Sequence, residues 1–228
     1  GPSTEMQGGH VRVTENSITM DNGARAYLAD TCEQSLTPGM YSKVDWEGKT
    51  LSYTVDLSKV GCACNAALYL VSMPASEPTK CGDYYCDANY VCGAGCPEMD
   101  IQEANQYAFH STPHTCDGQY PNYSNCDRGG CGAAASLSDY GPGKTIDTNH
   151  PFTVRAQMSA DRVSVMLQQG AASIQANPRC SLPSAFKDGM VVVMSNWGGS
   201  ADTMKWLDQP PCGNQSCNDG AVTFSNFT

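Results

Sequence analysis

Three acids fall within six residues in the run Glu98-Met99-Asp100-Ile101-Gln102-Glu103. Carboxylates this close suit chemistry in which one acid gives a proton and another attacks or holds a developing cation. On a regular strand Glu98 and Asp100 share one face while Met99 and Ile101 take the other. Strict alternation would send Glu103 to the Met99 side. One extra residue near Ile101-Gln102, a β-bulge, returns Glu103 to the face of Glu98 and Asp100. The two glutamates then stand four steps apart, roughly 13 Å between backbones at about 3.3 Å per residue. Side chains leaning inward over the shorter Asp100 can approach the about 5–5.5 Å expected of a retaining glycosidase. A third acid between two others makes full ionisation costly, so one is held protonated and can donate. A solvated acidic strand would keep its period, which Glu103 breaks. A calcium loop would bring more oxygen ligands and a glycine turn.

The elements that must hold this run are strands. Leu51, Tyr53 and Val55 alternate with polar neighbours, as do Phe152, Val154, Ala156 and Met158. Val163 and Val165 follow an Asp161-Arg162 turn, which predicts a hairpin. Further strands are expected at Val11 to Met20, Arg25 to Leu28, Ala66 to Met73, Met99 to Ala104, Met190 to Trp197 and Ala221 to Phe224. Helical spacing is confined to Ser184–Lys187 and Asp202–Leu207. Some nine short strands with long Gly-, Cys- and Asn-rich loops predict an all-β, two-sheet antiparallel sandwich in one domain. The stretches Pro74–Cys96 and His110–Gly143 are poorly periodic and hold seven of the thirteen cysteines. They are expected to be stapled loops forming binding walls. Trp46 lies in a polar Asp45-Trp46-Glu47-Gly48 run and is expected in a turn without a part in the site.

Composition excludes several functions. With 13 basic against 23 acidic residues among 228, the formal charge is −10. Such a chain suits neither nucleic acid nor an anionic membrane surface. Its apolar runs, such as Met190-Val191-Val192-Val193-Met194, are strand-sized and too short to span a bilayer. The cysteine spacings 62/64, 81/86, 92/96 and 126/131 make no repeated zinc knuckle, and the four histidines are not paired at ligand spacing. No metal site or cofactor is therefore expected, and the thirteen cysteines point to a secreted, disulfide-bonded protein with one thiol left over. Sequons at Asn122, Asn214 and Asn226 are expected glycan sites. Gly1-Pro2 has the form of a protease scar, so residues 1–9 are expected to be a remnant preceding one domain over 10–228.

The string EMDIQEAN resembles the EMDIWEAN signature of glycoside hydrolase family 7, the cellobiohydrolases and endoglucanases. Asn65–Met73 (NAALYLVSM) is similar to that family's NGALYFVSM strand, and Tyr85-Cys86-Asp87 to its YCD segment. Thr112-Pro113-His114 with Cys116 resembles TPHPC, and Tyr140–Gly143 matches YGPG. Gly189–Trp206 resembles the GMVLVMSLW…W segment, and Val222–Asn226 the last strand. The resemblance implies a jelly-roll, concanavalin-like sandwich with Glu98 as nucleophile, Asp100 as its assistant and Glu103 as acid/base. It places substrate contacts at His114, Trp197, Trp206, Asn65, Tyr69 and Asp87. It also implies disulfides Cys86–Cys96, Cys116–Cys126 and Cys131–Cys180, with Cys62 bonded to Cys212 or Cys217. A flat indole covers the apolar face of a pyranose, so Trp197 and Trp206 make a reasonable glucosyl platform.

Departures from the family pattern shape the functional expectation. The chain has roughly half the family's catalytic length, Gln102 stands where the signature has Trp, and the tunnel-roofing loops are missing. Ala133-Ala134-Ala135 replaces a run that carries a leaving-side arginine. A monomeric, secreted, endo-acting retaining β-glucanase of the β-1,4 (cellulose) type with an open cleft is the leading expectation, its partner a β-glucan polysaccharide or oligosaccharide. A β-1,3 or mixed-linkage glucanase and a non-catalytic glucan-binding protein on the same scaffold are the alternatives.

Overall fold

The computed structural model describes residues 10–31 and 36–228. The expected remnant at residues 1–9 lies outside them. Along the chain run β1 (Val11–Val13), β2 (Ser17–Met20), β3 (Ala24–Tyr27), β4 (Lys43–Val44), β5 (Thr50–Asp56), β6 (Cys64–Val71), β7 (Glu98–Ala104) and β8 (Phe109–His114). There follow β9 (Asp117–Gln119), β10 (Asn122–Ser124), β11 (Ala133–Ala134), β12 (Phe152–Met158), β13 (Val163–Gln169) and β14 (Ala172–Gln175). Helix α1 (Pro183–Asp188), β15 (Met190–Gly198), helix α2 (Ala201–Met204) and β16 (Val222–Ser225) complete the order. Among the described residues two large antiparallel sheets result, with β9 and β10 pairing as a separate two-stranded ribbon. The supporting sheet is ordered β1-β2-β16-β5-β12-β13-β14, and the site sheet β11-β8-β7-β6-β15-β3 with β4 on β15.

Alternation decides what each sheet buries. Leu51, Tyr53, Val55, Val154, Val165 and Phe224 of the supporting sheet meet Ala66, Leu68, Leu70, Met99, Val192 and Met194 of the site sheet in one core. Each such large side chain contributes about 1.5–3 kcal/mol by leaving water. The outer face of the site sheet is covered too, at one end. There Tyr27, Tyr69, Val71, Val191 and Val193 pack with Tyr85, Cys86, Cys92 and Cys96 of the loop between β6 and β7. This second layer is why β6 is buried along its whole length and reads as a nearly continuous apolar run.

Six disulfides staple the loops: Cys62–Cys212, Cys64–Cys217, Cys81–Cys92, Cys86–Cys96, Cys116–Cys126 and Cys131–Cys180. The pairs implied by the resemblance are present, and Cys62 takes Cys212 of its two candidates. Cys64–Cys217 and Cys81–Cys92 were not anticipated. Cys32, the thirteenth cysteine, lies outside the described residues. Among the described residues no helix is long and apolar enough to cross a membrane.

Two sequence expectations need correction and a third needs completing. Val11 to Met20 is a hairpin of two strands, because Thr14 takes the turn and its hydroxyl accepts from the Ser17 N–H at 3.1 Å. Phe109–His114 is a strand rather than loop, hidden because Ser111 and Pro113 occupy its inward positions. Trp46 does lie beside a turn, at residues 47–48, and its burial adds to that reading. It is buried in the inter-sheet core, its indole N–H donating to the Met190 carbonyl at 3.1 Å, since the turn folds back over α1.

Candidate active site

Register across the site sheet assembles the outer face in rows. Val191, Val71, Glu98 and His114 lie in one row of register partners on β15, β6, β7 and β8. Tyr27, Val193, Tyr69, Asp100 and Thr112 make the next. Arg25, Ser195, Ala67, Glu103 and His110 make a third, and Trp197 stands beside Asn65 beyond it. Asp100 and Glu103 share this face because β7 carries one residue more than its neighbours between them. Leu68 and Tyr69 of β6 face Gln102 and Asp100, skipping Ile101. The bulge read from the sequence is therefore where the acids require it, and both Ile101 and Gln102 turn to the core side.

Each acid has defined partners. The Ala88 N–H donates to Glu98 Oε2 at 3.0 Å. Asn65 Nδ2 donates to Glu103 Oε1 at 3.0 Å, while Asn65 Oδ1 accepts from the Ala104 N–H at 3.1 Å, which locks the amide's orientation. His114 Nε2 lies 3.0 Å from Asp100 Oδ2, and its Nδ1 is 2.7 Å from the Asp127 carbonyl. A carbonyl can only accept, so Nδ1 carries hydrogen. The Nε2–Oδ2 contact then holds one further proton, on the imidazole or on Asp100. Gly130 lets the 127–130 loop approach: a Cβ there would come within 2.9 Å of the His114 ring, and its φ of +62° favours glycine.

Burial sets the electrostatics. Glu98, Asp100, Asp87 and His114 are each less than a tenth exposed. Desolvation, then the neighbouring Asp100 and Asp87 charges, pushes Glu98 well above the usual carboxylate range, opposed by the Ala88 N–H. Asp100 is raised in the same way by burial and by Glu103. Burial also raises Glu103 to about 7, against the lowering effect of the Asn65 bond and His114. Asp87 rises through burial, moderated by the Val91 N–H at 3.0 Å. Such a cluster retains protons where isolated carboxylates would have lost them.

The remaining expected contacts fall around these acids. Tyr69 shares a hydrogen bond with Tyr85 through their hydroxyls at 3.0 Å. Trp197 and Trp206 are 40% and 42% exposed, with ring centroids 6.4 Å apart at 27°. They form one continuous apolar patch rather than two separate platforms. The Trp206 segment is anchored through Asp208, whose carboxylate accepts from the Ala63 N–H at 3.0 Å and Asn105 Nδ2 at 2.9 Å.

Some neighbours escaped the sequence reading. Arg25 sits over the Tyr85 ring at 3.9 Å and pairs with buried Asp83 at 3.5 Å. His110 turns its ring toward Trp206, with Nε2 buried and without a hydrogen-bond partner among the described residues, and desolvation lowers its pKa. Two-residue spacing of His110, Thr112 and His114 is the signal that would have found it, had β8 been recognised. Asn122 and Asn214 are exposed. Asn226 is exposed but donates its amide N–H to Thr54 Oγ1 at 3.3 Å.

The sequence model of glycosyl hydrolase family 7 matches residues 7–90 and 85–173. Endoglucanase EG-1 of Hypocrea jecorina is 30% identical over 256 residues, covering 89% of this chain and 53% of that protein. A probable endo-beta-1,4-glucanase celB of Neosartorya fischeri is 32% identical over 251 residues, covering 82% and 61%. The chain thus spans about half to three-fifths of the length of these relatives. Among solved structures, the native endocellulase EGI of Humicola insolens superposes with a TM-score of 0.76 at 24% identity, covering 95% of this chain and 76% of that one. A cellobiohydrolase of Daphnia pulex gives 0.74 at 21%, covering 97% and 79%. These two likenesses establish the sandwich fold. With a sequence model matching well over half of its residues, the chain belongs to glycosyl hydrolase family 7.

Proposed function

We propose that the chain is a secreted, endo-acting, retaining β-1,4-glucan hydrolase working in an open cleft, with residues 10–228 as one catalytic unit. The observation that carries this reading is the placement of Glu98, Asp100 and Glu103 on one outer face by the bulge in β7. Glu98 attacks the anomeric carbon and forms a glycosyl-enzyme. Glu103, raised to about 7, protonates the departing oxygen and then takes a proton from water. The proton shared by Asp100 and His114 removes one negative charge from beside Glu98, which favours the ionised nucleophile. Sugar binding falls to the Trp197–Trp206 patch, Tyr69 and Asn65. The reaction so written needs no metal or organic cofactor.

The names of the relatives support the β-1,4 linkage, since several are called endoglucanases or endo-beta-1,4-glucanases. The departures that favour a merely glucan-binding protein are the lost subsites and Gln102. Gln102 faces the inter-sheet core with both polar ends bonded, so it takes nothing from the cleft. The test is a panel of β-1,4, β-1,3, mixed-linkage and xyloglucan polymers with products resolved by length. Mid-chain cleavage of the β-1,4 polymer, abolished in Glu98→Gln with an unchanged fold, is expected. Disaccharide released only from chain ends would refute endo action, and turnover by Glu98→Gln would refute the roles.

A further inference from the structure

A bulge unpairs backbone groups beside it, and those groups must find other partners. Ala66 and Ala104 are register partners across β6 and β7. Yet the Ala104 N–H goes to the Asn65 side chain, and the Ala66 carbonyl accepts from Gln102 Nε2 at 3.0 Å. Two side-chain amides, one on each face of the sheet, thus bond the backbone of the rung beside the bulge. Gln102 is fully buried. Its Oε1 accepts from the Tyr53 hydroxyl at 3.2 Å, and Tyr53 belongs to β5 in the opposite sheet. Tyr53 is itself held by Phe224 and Phe227, with centroids 6.0 Å away. The bulge is therefore tied sideways to β6 and downward to the supporting sheet. A tryptophan here, as in the family signature, has one N–H and no acceptor, so it could not make both bonds.

We propose that Gln102 is a positioning residue: its bonds to Ala66 and Tyr53 fix the bulge, and thereby the reach of Glu103 toward the glycosidic oxygen. This rests on the reading of Glu103 as acid/base. Asn65 grips the Glu103 carboxylate from the outer face, while Gln102, with the Ser111 hydroxyl on the Asp100 carbonyl, holds the bulged backbone from the core side. General acid catalysis depends steeply on such placement, and a shift of about 1 Å costs on the order of a hundredfold.

The experiment compares kcat/KM for two aryl cellobiosides, one with a phenol leaving group and one with 2,4-dinitrophenol. The first needs a proton from Glu103 as the bond breaks, and the second does not. Gln102→Leu is expected to lower kcat/KM roughly tenfold to a hundredfold for the phenyl substrate and by less than about threefold for the dinitrophenyl one. Tyr53→Phe, which removes one hydroxyl, provides the milder variant should Gln102→Leu fold poorly, and the same bias in smaller measure is expected. Equal losses on both substrates, as from a smaller folded fraction, would overturn the proposal, as would no loss in either variant. A wild-type protein that cleaves the dinitrophenyl but not the phenyl substrate would instead overturn the Glu103 assignment beneath it.

Discussion

If Glu103 is the acid that titrates near 7, activity and stability must both follow it. At pH 6 a group with that pKa is about nine-tenths protonated, and at pH 8 about one-tenth. The rate on polymer, measured as kcat/KM, should therefore fall about tenfold between these values. Stability moves in the same direction. Burial raises the folded-state pKa above the unfolded value near 4.5, so the folded protein binds more protons in the interval between them. The stabilisation is fully present below the unfolded pKa and is lost as pH rises through about 7. A shift of that size corresponds to at most about 3 kcal/mol, a ceiling because Glu98 and Asp100 share the cluster's protons. Glu103→Gln keeps the shape and removes the titration. Urea unfolding of both proteins at pH 5 and pH 8, beside polymer rates across the range, measures all of this. The variant should lose less stability than wild type over that span, and lose polymer activity by a factor of about 10² to 10⁴. A wild-type rate that stays flat from pH 6 to 8, with equal stability slopes in both proteins, would refute the reasoning.

Other consequences are testable together. Trp197→Ala and Trp206→Ala should each cost roughly tenfold to a few hundredfold in polymer kcat/KM, at about 1.4 kcal/mol per tenfold. Because the indoles form one patch, the double variant should lose clearly less than the product of the two, and full additivity would argue for separate platforms. Trp46→Ala should destabilise by about 3–5 kcal/mol through loss of a core indole, while kcat per folded molecule stays unchanged. A melting temperature within a degree of wild type would contradict its burial. Peptide mapping without reduction should recover the six linked pairs, and free thiols at Cys86 or Cys96 would contradict the stapled wall beside Glu98.

What the sequence reveals here follows from how local each cause is. Alternation in Thr50–Asp56 and Phe152–Met158 marks strands because one face of each meets the core and the other meets water. The same rule exposes β7 by being broken, since Glu103 belongs with Glu98 only if a residue is inserted. β8 defeats it because Ser111 is buried to bond the Asp100 carbonyl at 2.9 Å, a partner set by the neighbouring strand. The burial of Trp46 is hidden for a similar reason: its flanking Asp45 and Glu47 are polar, but a carbonyl from β15 receives its indole N–H. Asp87 and Asn65 were identified through the motif, yet the Ala88 N–H on Glu98 and the Arg25–Asp83 pair depend on loop paths that no spacing encodes.

The position of β16 constrains how this molecule can be made. It is the final strand, yet it sits inside the supporting sheet, between β2 and β5. Among the described residues the β1–β2 hairpin joins that sheet only through it. During synthesis β5 must therefore present an unpaired edge, and Val11–Met20 must wait, until Val222–Ser225 leaves the ribosome. Contacts joining the first and last strands are slow to form, and the open edge is available to other chains meanwhile. The sheet beneath the acids thus closes only once β16 has been made, which makes folding sensitive to anything that delays or blocks Val222–Ser225.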